Sequence, residues 1–115
     1  MKDLEAIRQC VAKFAQERDW DQFHSPKNLA MALSVEVAEL MEHFQWLSEA
    51  QSRDLDESTR AAVADEIADV QVYLVRIADS LGVDILSAVA TKMEKNAQKY
   101  PADKVRGSAK KYNAY

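Results

Sequence analysis

The stretch DEIADVQVYLVRIADSL, residues 65–81, decides the fold. Its centre, VQVYLVRI (70–77), is β-branched and aromatic and in isolation reads as a strand. Its flanks change the reading. Val63, Ile67, Val70, Leu74, Ile77 and Leu81 recur at three- and four-residue spacing through the whole run, and that single 3.6-residue period predicts one long helix from about Glu57 to Leu81. Gly82 is a natural residue to end it, in the left-handed conformation just past the last turn.

Working outward, the same period recurs on both sides. Residues 3–18 place Leu4, Ile7, Val11 and Phe14 on one face of a first helix. Ser25-Pro26 supplies an N-cap and a first-turn proline for a second, which runs from Pro26 to Phe44 or Trp46. Ser48 and Gln51 have capping-box spacing for a short turn, and SRDLDEST (52–59) reads as a charged linker. Asp84 caps a last helix that stops near Tyr100-Pro101. The expected fold is all-α and four-helix-bundle-like, with a domain over 1–101 and an extended tail over 102–115. Four helices on so short a chain leave apolar surface uncovered, so a homo-oligomer is expected.

Bulk composition narrows the function. The 115 residues carry a net charge of −4, which argues against nucleic acid as a partner. No apolar run is long enough to span a membrane, and the start MKDLEAIRQC lacks a signal-peptide core. One cysteine, Cys10, cannot form an internal disulfide; a reducing, cytoplasmic setting is the expectation.

Two carboxylate pairs carry the chemistry. Glu36/Glu39 in SVEVAELMEHFQW (34–46) and Glu66/Asp69 in the deciding stretch are both spaced i, i+3, so each pair shares one helical face. An E-x-x-E pair is ordinarily just a solvated face. Here Glu36 falls on the stripe of Leu29, Leu33, Leu40 and Phe44, and Glu66 and Asp69 border the apolar stripe of their own helix. Carboxylates at the edge of a core are costly without a compensating cation. Four of them suit a hard divalent ion, Mg²⁺ foremost. Trp46 lies seven residues beyond Glu39 and Tyr73 four beyond Asp69, which puts an aromatic near each pair. Trp20, Phe23 and His24 in the loop RDWDQFHSPKN (18–28) add stacking surface for a base. Lys92, Asn96 and Lys99 share one face and suit phosphate oxygens, while Arg106, Lys110 and Lys111 either close over polyphosphate or simply solubilise the tail. Glu-x-x-His pairs, Cys/His clusters and phosphate-binding glycine loops are all missing.

These residues, with WDQFH (20–24), FQW (44–46) and KMEKNAQKYP (92–101) in order, resemble the MazG-like all-α nucleoside triphosphate pyrophosphohydrolases, the dCTP pyrophosphatase branch most closely. The resemblance implies Mg²⁺-dependent cleavage of a nucleoside triphosphate, dCTP first, to the monophosphate and pyrophosphate. It implies metal ligands at Glu36, Glu39, Glu66 and Asp69, and nucleotide contacts from Trp20, Asp21, Gln22, Phe23, His24, Trp46 and Tyr73. Lys92 and Asn96 would hold phosphates, and Glu39 would orient or deprotonate the attacking water. Animal members carry a histidine where this chain has Val11, which leaves the base preference open. The resemblance also suggests a dimer or tetramer. The alternatives are the same chemistry on dATP, dUTP or a modified nucleotide, and a non-catalytic helical oligomerisation module.

Overall fold

Each helix begins where a short polar side chain takes up a free backbone N–H. In the structure, a computed structural model that describes residues 1–108, α1 spans Leu4–Glu17, α2 Pro26–Glu42, α3 Glu49–Ser52, α4 Glu57–Leu81, α5 Ile85–Lys99 and α6 Ala102–Val105. Asp3, Ser25, Ser48, Asp56 and Asp84 cap the first five, each accepting from a backbone amide of the first turn. Such a cap is worth about 1 kcal/mol. Ser48 and Gln51 complete the reciprocal capping box. Gly82 ends α4 at φ 66°, as its position foretold. No strand occurs among the described residues, so the helical reading of 70–77 stands.

The chain divides into two compact units, Met1–Gly82 and Val83 onward. In the first, α4 is the central element, with α1 and α2 both packed along it. Its core is small: Ala15 of α1, Leu29 of α2, and Val63, Val75 and Ala78 of α4. Leu29 is the large side chain that is fully enclosed, at 1% exposure. In the second unit, α5 carries Lys92 and Asn96 one turn apart. Residues 102–105, read as extended, form the short helix α6 behind Pro101, whose fixed φ suits a helix start. Lys110 and Lys111 lie outside the described residues.

Two other expectations need correction. α2 ends at Glu42, and residues 43–46 continue as turns in which the amides of Phe44 and Gln45 donate to Met41 O. Trp46 therefore does not inherit the azimuth of Glu39; it is 87% exposed. The apolar stripe of α4 is also split. Val63, Val75 and Ala78 face the core, whereas Ile67, Leu74 and Leu81 are 55%, 41% and 58% exposed. A 25-residue helix carries apolar residues around more of its circumference than two neighbouring helices cover.

Candidate active site

The α2–α4 contact brings the two carboxylate pairs together. Glu36, Glu39 and Glu66 each offer an oxygen, and these oxygens lie within 4.8 Å of one another. All three side chains are half-buried. Asp69 is more exposed but near enough that its charge acts on Glu36. The Oε2 atoms of Glu36 and Glu66 are buried and accept no hydrogen bond. Loss of water, then the closeness of the Glu66 and Glu39 carboxyls and the charges of Glu39 and Asp69, pushes Glu36 from 4.5 up to about 7. The arrangement is acceptor facing acceptor, which a proton or a cation relieves. Hard oxygens with two orphaned, buried acceptors fit a divalent ion such as Mg²⁺ and fit a soft metal poorly.

Beside the cluster a pocket of about 550 Å³ opens between α1 and α4. Glu36 and Asp69 border it, and Trp20, His24, Tyr73 and Val11 line it. The aromatic end is assembled locally. Asp19 adopts a left-handed φ of 55°, which an aspartate tolerates, and turns the chain so that the Trp20 amide donates to Ala15 O at 2.9 Å. Trp20 then stands edge-on to Phe14 at 5.7 Å, with His24 6.2 Å away. The Asn28 amide donates to Phe23 O at 3.0 Å and pins the other end of the single 3-10 turn Asp21–Phe23.

Not every anticipated contact residue faces this pocket. Gln22 spends its amide inside the loop, on Asp19, and Phe23 is exposed. Asp21 is ion-paired with Arg76. Trp46 is not among the pocket-lining residues. Lys92 and Asn96 belong to the second unit, Lys92 exposed and Asn96 half-buried.

Arg76 is the residue that sequence reasoning missed. Its side chain is 13% exposed and lines the pocket. Nε donates to Nδ1 of His24 at 3.1 Å, Nη2 pairs with Asp21 and Nη1 lies 3.7 Å from Asp79. Asp79 also accepts from Arg8 of α1 at 3.4 Å. A signal was available, since Arg76 is one turn beyond Tyr73 and two beyond Asp69 on the same helix.

Residues 31–114, which hold both carboxylate pairs, match the model of the MazG-like family. The chain belongs to the MazG-like family. Among MazG-like relatives, it is 50% identical over 111 residues to dCTP pyrophosphatase 1 of Rattus norvegicus and 46% identical to dCTP pyrophosphatase 1 of Homo sapiens. Those alignments cover 95% of this chain, which spans 65% of the length of each of the two relatives. The crystal structure of a pyrophosphatase from Archaeoglobus fulgidus superimposes with a TM-score of 0.80 at 42% identity, over 84% of this chain and 91% of that one. The all-helical MazG-like fold is therefore shared. None of the helices among the described residues is long and apolar enough to cross a membrane.

Proposed function

We propose that this MazG-like chain hydrolyses a nucleoside triphosphate, dCTP first among them, to the monophosphate and pyrophosphate with Mg²⁺ as the cofactor. The observation that carries the reading is the meeting of Glu36, Glu39 and Glu66, two with orphaned buried oxygens, beside a pocket lined with aromatics. The similarity to dCTP pyrophosphatases and to an archaeal pyrophosphatase supports the same chemistry.

In this reading Glu36, Glu39, Glu66 and Asp69 hold the cation. When bound, it neutralises phosphate charge and makes water a better nucleophile. Glu39 would orient the attacking water and take its proton as the water oxygen bonds to a phosphorus of the α–β anhydride and that bridge breaks, giving the monophosphate and pyrophosphate. Trp20, His24 and Tyr73, which line the pocket, receive the base. The exposed stripe of Ile67, Leu74 and Leu81, at seven-residue spacing, is the face we assign to a second copy, in a dimer or tetramer. The role suits control of a cytoplasmic nucleotide pool.

The test is pyrophosphate release from a panel of deoxy- and ribonucleoside triphosphates, with and without Mg²⁺. We expect release with dCTP that requires Mg²⁺ and falls at least about 100-fold in Glu36→Ala. Turnover of another nucleotide changes the substrate and keeps the chemistry. Silence across the panel from folded protein overturns the proposal.

A further inference from the structure

An arginine in a nucleotide-sized pocket ordinarily reads as a phosphate clamp. Arg76 is built otherwise. All three nitrogens of its guanidinium are engaged: Nη2 with Asp21, Nη1 with Asp79 at 3.7 Å, and Nε with His24 at 3.1 Å. Two carboxylates balance its charge, and the side chain is mostly enclosed. Little is left to attract a phosphate. What the arrangement controls is the imidazole.

A guanidinium can only donate, so the Nδ1 of His24 that meets it must present a lone pair. We propose that Arg76 fixes His24 as the neutral tautomer protonated at Nε2, and that His24 in this form donates a hydrogen bond to an acceptor on the nucleobase. The second clause rests on the nucleotide reading above. His24 lies at the aromatic end of the pocket, beside Trp20, where a base would stack, whereas the phosphates belong with Glu36 and Asp69. A donor locked in one tautomer favours bases that offer a carbonyl or ring-nitrogen acceptor there, such as O2 or N3 of cytosine. It disfavours bases that offer an N–H. Loss of water and the Arg76 charge lower the His24 pKa, in keeping with a neutral ring. Arg76 is thus a positioning residue; the contact with the base belongs to His24. Asp21 and Asp79 hold it from the 3-10 turn and from its own helix.

Long-range ¹H–¹⁵N correlation on the ¹⁵N-labelled full chain at about pH 7.5 reads the tautomer directly. Wild type is expected to show His24 protonated at Nε2 alone; a proton on Nδ1, or on both nitrogens, overturns the proposal. Arg76→Met should mix the tautomers and raise the KM for dCTP about tenfold, with kcat kept within about threefold. In a His24→Gln background, where an amide donates without any tautomer to fix, Arg76→Met should leave KM unchanged. Equal losses in both backgrounds overturn the assignment, because a merely structural arginine costs the same in each. A chain that turns over no nucleotide at all defeats the hydrolase reading, while the ring protonation of wild type and Arg76→Met still decides for or against Arg76.

Discussion

Glu36 is where the energetics of single residues are most visible. With its carboxyl raised to about 7 from 4.5, the folded metal-free chain holds that proton more tightly than the unfolded chain does. Its contribution to stability is fully present below about pH 4.5 and is lost as pH rises through about 7. His24, shifted downward, acts in the opposite sense, its contribution lost as pH falls below the ordinary imidazole value. A comparison with Glu36→Gln cancels that term. In chelator, the mutant should melt near wild type at about pH 4.5 and progressively higher than wild type up to about pH 7; parallel thermal melts across that range check it. A constant gap would mean that Glu36 does not titrate in this window. The pairs themselves were legible from i, i+3 spacing. For Arg76 the spacing gave only its register with Tyr73 and Asp69; its role was hidden, because its partner Asp21 lies 55 positions away and only folding brings them together.

Helices follow local rules, and so their ends were easier to read than their faces. Ser25, Ser48 and Asp84 cap what they were expected to cap because the capping bond spans three residues. Which way α4 turns its apolar residues is a tertiary matter, and Ile67, Leu74 and Leu81 faced outward against expectation. The end of α2 was misread for a related reason. No glycine or proline marks it, and Glu42 yields to a run of turns that hands the chain to Ser48. Two predictions belong here. Gly82→Ala, which keeps φ near 66° with a Cβ that meets open space, should cost about 1 kcal/mol from backbone strain alone. Leu29→Ala, which empties the best enclosed site on α2, should cost about 2–5 kcal/mol by denaturant unfolding. If the Leu29 change costs as little as the glycine change, the α2–α4 contact is not the stabilising seam.

At the scale of the molecule, a small core supports an acidic cluster that weakens it. Saturating Mg²⁺ should therefore raise the melting temperature, since a ligand of the folded state alone stabilises it by mass action, about 2.7 kcal/mol at a hundredfold excess over Kd. Glu66→Gln should abolish most of that rise, and calorimetry with and without chelator measures both. Light scattering would test the exposed face of α4: Leu74→Glu should lower the mass of the particle relative to wild type. A wild-type monomer would remove the second copy from the proposal. The family was legible from ordered motifs along most of the chain, whereas the pocket beside the carboxylates was not, because α1 contributes to it through plain side chains such as Ile7 and Val11.

The two orphaned oxygens on Glu36 and Glu66 have a consequence for how this protein can change over generations. A library screened only for survival of heat, with divalent ions stripped away, should enrich neutral replacements at both positions, since nothing in the bare fold rewards the charges. The same library grown where turnover decides survival should return glutamate at both. The ratio of neutral to acidic residues at 36 and 66 would then record which pressure a population had felt.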